Sequence, residues 1–140
     1  MRIAAIILLG AMLAACQPAG GPEAGQSKVY DGIGADETLH FTGTEPFWGG
    51  EIVGTSARYN TPENIDGTRF MVKRFAGNNG VSFSGQLDGA RFDLIATPGE
   101  CSDGMSDRSY PFVVTLMIGK DRREGCGYTD AQPFTGPANP

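Results

Sequence analysis

The sequence contains one histidine, one tryptophan and three cysteines in 140 residues, and its longest cationic cluster is Arg122-Arg123. Each scarcity removes a class of chemistry. With His40 alone, neither a zinc cluster nor a histidine pair for acid–base relay can be assembled. A Ser/His/Asp triad would have to use His40 itself, and no Gly-x-Ser-x-Gly nucleophile elbow accompanies it. No glycine-rich turn ending in Gly-Lys-Ser/Thr leads into a helix, so a phosphate-cradling loop is missing. A glycosidase-like carboxylate pair is left open, because separations in space are not written in a sequence. The formal net charge of −5, without a basic stripe, argues against nucleic acid as a partner. The chain is therefore expected to be no enzyme and to carry no cofactor or metal.

A long apolar run is also lacking. The uncharged stretch Ile3 to Ala15 has 13 residues, about 20 Å as a helix, against a hydrocarbon core of about 30 Å. One positive charge, Arg2, followed by this short stretch is the layout of a secretory signal peptide. Leu13-Ala14-Ala15-Cys16 ends it and resembles the lipobox of bacterial lipoproteins. That resemblance implies cleavage before Cys16, lipid attachment to its thiol and acylation of the new amine, with residues 1–15 removed. A plain signal peptide with an incidental cysteine is the alternative. Stable anchoring needs more than one acyl chain, which full lipoprotein modification supplies. Gln17 stands where an Asp tends to retain proteobacterial lipoproteins at the inner membrane, so the resemblance implies the outer membrane, with the domain facing the periplasm. Losing Arg2 takes the charge from −5 to −6, so the domain is not expected to lie flat on an anionic membrane surface by charge, and lipid would hold it there.

Residues 16–36, rich in Gly, Pro and Ala, read as the lipidated N-terminus and a flexible tether, with a reach of about 25 Å for 20 such residues. Residues 37–140 are expected to form one domain. Once Cys16 is assigned to lipid, Cys101 and Cys126 remain for an oxidising compartment. A disulfide between them closes a loop worth roughly 3.5 kcal/mol in the chain-entropy treatment. A metal pair or a catalytic thiol would need neighbours that neither cysteine has.

No window of a dozen residues has helical spacing, whereas period-two alternation recurs. Val81, Phe83 and Leu87 alternate with Ser82, Ser84 and Gln86, and Asp88-Gly89 supplies a two-residue turn into the return strand bearing Phe92, Leu94 and Ala96. Arg69 to Phe75 is predicted as a strand entered through Asp66-Gly67 and left through Asn78-Asn79-Gly80. Phe112 to Ile118, apolar at both parities, suggests a strand covered on both faces. Gly119-Lys120-Asp121 should turn it into a last strand carrying Cys126 and Tyr128. Leu39 to Thr42, Trp48 to Val53 and Ala57 to Asn60 are shorter candidates. The expected fold is all-β, a small antiparallel barrel or sandwich of about seven or eight short strands with one disulfide.

Two segments stand out from this pattern. They are Gly43-Thr44-Glu45-Pro46-Phe47-Trp48 and the run from Cys101-Ser102-Asp103-Gly104-Met105-Ser106-Asp107 to Tyr110-Pro111. With Gly125-Cys126 they resemble a family of short, functionally uncharacterised bacterial lipoproteins marked by T-E-P-F-W, C-S-D-G-M-S-D-x-x-Y-P and a late cysteine. Related domains of that family occur beside META-type and lysozyme-inhibitor-type domains. The resemblance covers about Phe41 to Tyr128 and implies an envelope address without an activity.

Physically, Glu100, Asp103 and Asp107 invite a calcium hypothesis, but their spacing is not that of an EF-hand loop. The alternative has Asp103 or Ser102 capping a short helical turn and Asp107 pairing with Arg108 or another base. Trp48 reads either as a core plug, with Ile52 as its parity partner, or as a ligand platform. Glu45, before Pro46, is a candidate acceptor for backbone hydrogen bonds from the disulfide loop, which would join Glu45, Pro46, Trp48, Asp103 and Asp107 in one structural corner. The function these features predict is a lipid-anchored, non-catalytic envelope module that binds a protein or cell-wall component. Ser56-Ala57-Arg58-Tyr59 superficially matches a loop of membrane-bound lysozyme inhibitors, which supplies the alternative. A small periplasmic hydrolase is the third reading.

Overall fold

The computed structural model describes residues 28–139. The leader at 1–15, Cys16 and the first part of the tether lie outside the described residues. Eight strands follow one another: β1 Leu39–Gly43, β2 Trp48–Val53, β3 Ser56–Thr61, β4 Asn64–Ala76, β5 Val81–Leu87, β6 Ala90–Cys101, β7 Tyr110–Ile118 and β8 Asp121–Thr129. Each pairs antiparallel with its predecessor, and β8 returns to β1 through Leu39↔Thr129, His40↔Tyr128, Phe41↔Gly127 and Thr42↔Cys126, closing a barrel. Closure leaves no edge strand to template pairing with another chain.

Period-two alternation sends one parity of each strand into the lumen. Leu39 and Phe41, Trp48 and Ile52, Ala57 and Tyr59, Val81 and Phe83, Phe92 and Leu94, and Phe112, Val114 and Leu116 form one buried cluster. Eight strands enclose a space that side chains just fill. Room for the indole of Trp48 comes from two glycines: a Cβ on Gly43 would stand 2.2 Å from it, and one on Gly125 would stand 2.9 Å from Cζ2.

The turns follow their chemistry at three hairpins. Asp88 and Gly89 both take positive φ, 49° and 82°, the geometry that matches strand twist in a two-residue turn. Asn78 to Gly80 links β4 to β5, and Gly119-Lys120 links β7 to β8. Asp66-Gly67 behaves otherwise. β3 turns into β4 at Pro62-Glu63, with Thr61 opposite Asn64, so Asp66-Gly67 lies inside β4 rather than before it. There the register slips between Tyr59 and Thr61. Gly67, at φ 76°, supplies the left-handed residue that such a bulge needs, and its N–H donates to Asn64 Oδ1 at 3.2 Å.

Two further expectations are corrected. β7 is not covered on both faces: Phe112, Val114 and Leu116 are sealed in the lumen while Val113, Thr115 and Met117 are half-buried on the outside. A single closed sheet has only one interior, so the second apolar parity meets its strand neighbours and water. The tether also ends sooner than residue 36. Ile33 is 1% exposed and belongs to the core, Tyr30 N–H donates to the Gly77 carbonyl at 2.7 Å, and Arg74 Nη2 donates to the Ile33 carbonyl at 2.7 Å. An open barrel end must be shielded from water, and Tyr30 and Ile33 are the apolar bulk near enough in sequence to do it. The connections β1–β2, β3–β4, β5–β6 and β7–β8 gather at the opposite end, called here the hairpin end; the end that Ile33 seals is the tether end.

Gly125→Ala should lower stability by about 1–3 kcal/mol through overpacking, because its Cβ would also stand 2.2 Å from the Thr42 backbone oxygen. Urea unfolding with an unchanged m-value measures this; unaltered stability would show that the indole cavity is not tight.

Candidate functional site

Both unusual segments lie against β1, but they do different work. Thr44 to Phe47 connects β1 to β2 at the hairpin end, with a cis peptide between Glu45 and Pro46 and with Glu45 at φ 60°. The two aromatics part where the loop enters β2 at Trp48. Trp48 turns inward and is 4% exposed, while Phe47 is 53% exposed. The indole stacks toward Tyr59, ring centres 6.5 Å apart, and tilts against Phe41 at 6.0 Å. Tyr59 in turn holds Arg123: Nη1 donates to the phenolic oxygen at 2.7 Å. Burial raises the Tyr59 pKa and the nearby guanidinium partly offsets it, so the hydroxyl stays neutral and can accept that bond. Trp48 is thus a plug of the lumen, and it also contributes to the lining of both clefts beside this loop.

Around this loop lie two clefts. One, of about 390 Å³, runs between Phe47 and Ile65 over Gly49, Asn60 and Pro62. Ile65 is 76% exposed, so an aromatic and an aliphatic side chain flank a floor of backbone and amide. The other, of about 460 Å³, is polar and lies between Glu45-Pro46 and the β7–β8 hairpin, from Lys120 to Glu124. Within it Arg122 Nη2 is 2.7 Å from Glu124 Oε1, with both side chains exposed.

The second segment leaves β6 at Cys101 and passes outside the barrel. Cys126 faces outward, yet it is 1% exposed, because the disulfide to Cys101, Cα–Cα 5.6 Å, draws this loop over it. Asp103 organises the loop. Its Oδ1 accepts from the N–H groups of Met105 at 2.9 Å and Ser106 at 2.8 Å. Its Oδ2 accepts from Ser106 Oγ at 2.6 Å and Tyr110 OH at 3.4 Å. These donors, the Ser106 hydroxyl foremost, hold its pKa down at about 2. The expected cap is therefore present without a helix: Asp103 closes a turn of loop. The residues after β8 complete this outer layer. Phe134 packs on Tyr110 and Tyr128 with ring centres 5.5 and 5.1 Å apart, and Tyr128 stacks on His40 at 4.8 Å.

The expected corner forms through different atoms. Thr44 Oγ1, not Glu45, reaches the loop, donating to the Asp103 carbonyl at 3.2 Å. Glu45 and Pro46 instead face the polar cleft. Asp107 does not pair with Arg108. Arg108 Nε donates to the Pro137 carbonyl at 2.8 Å, and its guanidinium lies 4.3 Å over the Phe134 ring, so the tail takes the cation that Asp107 was expected to hold. Glu100 accepts from Ser109 Oγ at 3.3 Å. Glu100 and Asp103 thus serve different donors, and among the described residues no group of three acids, histidines or cysteines is placed to hold a metal. His40 lies between Glu51 and Asp130, 4.0 and 3.4 Å away, with no serine hydroxyl bonded to it among the described residues. Ser56 to Tyr59 is no loop but strand β3, with Ala57 and Tyr59 in the lumen.

Phe47, Ile65, Arg123 and Phe134 were missed by sequence reasoning. Phe47 lies in the turn just before β2, where strand alternation gives no signal; the other three depend on which strands meet. Comparison with protein-family models, with curated proteins and with solved structures finds no match. The geometry defines a class: a small closed barrel with a filled lumen and a disulfide-strapped flank.

Two predictions separate packing from surface roles. Trp48→Ala should cost about 3–5 kcal/mol as a core truncation, whereas Phe47→Ala should stay within about 0.5 kcal/mol, both read from denaturant midpoints. For Asp103, whose carboxyl titrates at about 2 when folded against 3.8 ordinarily, the ionised form is the one the fold favours. Its stabilisation is present above about pH 4 and is lost as pH falls toward 2. The gap in melting temperature between wild type and Asp103→Asn should therefore be open at neutral pH and close on acidification; a gap that does not vary with pH would refute the assignment.

Proposed function

We propose that this chain is an envelope lipoprotein, held at the outer membrane by lipid on Cys16 and facing the periplasm, whose barrel acts as a non-catalytic binding or structural module. The observation that carries the reading is cysteine pairing. Cys101 and Cys126 are joined, which leaves Cys16, directly after Leu13-Ala14-Ala15, as the unpaired thiol of the three. A disulfide on a small β-domain suits an exported protein. No helix among the described residues is long and apolar enough to cross a membrane, so a lipid is the attachment that the leader motif calls for.

Binding belongs on the outside of this barrel. The lumen is packed with aromatic and aliphatic side chains, so no lipocalin-like chamber is available for a small ligand. The cleft flanked by Phe47 and Ile65 pairs exposed apolar groups with the Asn60 amide, a mixture typical of recognition surfaces. An envelope protein or a cell-wall component is the partner class. The arrangement also explains why two distinctive segments need not carry chemistry, since both secure the β1–β2 loop that displays Phe47.

Intact mass of the protein taken from membranes of its native host is the test. The expected mass begins at Cys16 and carries a diacylglyceryl group and an amide-linked acyl chain. A chain retaining Met1, without lipid, would overturn the anchor.

A further inference from the structure

The outer face of β4, β5 and β6 bears an apolar patch that no other described residue covers. Phe75, Ser82 and Ile95 pair in one row across the three strands, with Phe75 69% and Ile95 47% exposed. A shallow depression of about 290 Å³ accompanies them, its floor formed by Gly80 and Thr97. Val29, 59% exposed, joins the same corner, because Tyr30 beside it is bonded to Gly77 at 2.7 Å. Apolar side chains clustered like this mark a contact surface rather than scattered exposure.

Where the described chain begins indicates what covers the patch. Lys28 and Val29 stand at its rim, and eleven residues, 17–27, separate Lys28 from Cys16. Twelve covalent steps from Lys28 to Cys16 reach at most about 40 Å. With Cys16 lipidated, a reading on which this inference rests, the acyl chains hold this corner of the barrel close to the bilayer. The tether has already confined the barrel, so a weak apolar contact suffices to orient it. A second copy of the chain is a poorer occupant: one row of three residues falls far short of the roughly 800 Å² per partner of a stable dimer.

We infer that the Phe75–Ile95 face rests on the membrane surface. Val29, Phe75 and Ile95 then sit at the boundary of headgroups and acyl chains, with Lys73 directed to lipid phosphates, while Lys28 is paired with Asp31 at 3.1 Å. The same placement raises the opposite end. Ile65 lies ten residues before Phe75 on β4, about 33 Å along the strand, so the Phe47–Ile65 cleft is presented away from the lipid.

The experiment couples residues 16–140 through the Cys16 thiol to a maleimide phospholipid in nanodiscs of phosphatidylethanolamine and phosphatidylglycerol. Amide resonances are recorded with and without a lipid carrying a nitroxide on its headgroup. Residues 75–82 and 95–97 should lose most of their intensity while residues 45–48 and 62–65 keep theirs, and Phe75→Ser with Ile95→Ser should abolish the loss without disturbing the other resonances. Equal loss at both ends, no loss, loss that persists in the double variant, or patch shifts that grow with protein concentration would each overturn the inference. Chemical coupling supplies the anchor whether or not the host does, so failure here tells against the face, and failure of the intact-mass measurement tells against lipidation.

Discussion

Between Leu39 and Thr42 the chain is bonded on both sides, to β2 and to β8, and this short seam turns a meander of hairpins into a tube. Its register decides the parity of β8. With Phe41 opposite Gly127 and Thr42 opposite Cys126, glycine faces the lumen and cysteine faces out. A slip of one residue would put the thiol among Phe41 and Phe112 and the glycine under the strap. The disulfide, the outward Tyr128 on which Phe134 packs, and the inward Arg123 that meets Tyr59 all follow from that one alignment.

A filled lumen then moves any recognition to the surface. Trp48 occupies the space that Gly43 and Gly125 leave, and the loop before it is bonded to the strap on one flank and faces the β7–β8 hairpin across the polar cleft on the other. Asp103 binds the strap to itself through four donors and to Thr44 through its carbonyl. The acid that looked most like a metal ligand is thereby committed to shaping the chain. Phe47, at the end of this loop, is one of the large apolar groups that the barrel leaves in water.

The two apolar surfaces sit at opposite ends of β4, the longest strand. One adjoins the point where the tether leaves, the other the hairpin connections.

Strand positions were legible because alternation and turn chemistry act within a few residues: Asp88-Gly89 dictates its hairpin, and Val81 to Leu87 declare their inner face. The pairing of Cys101 with Cys126 was legible because a chain of three cysteines in which Cys16 is read as a lipid site leaves two. Gly67 misled because a bulge and a turn make the same demand for a left-handed residue, and only the partner strand distinguishes them. Thr44 rather than Glu45 at the strap, Arg108 drawn to the tail, Ile33 sealing the tether end and Phe47 beside Ile65 were decided by tertiary structure. Each depends on residues distant in sequence being brought within a few ångströms, and short-range patterns of polarity carry no record of that distance.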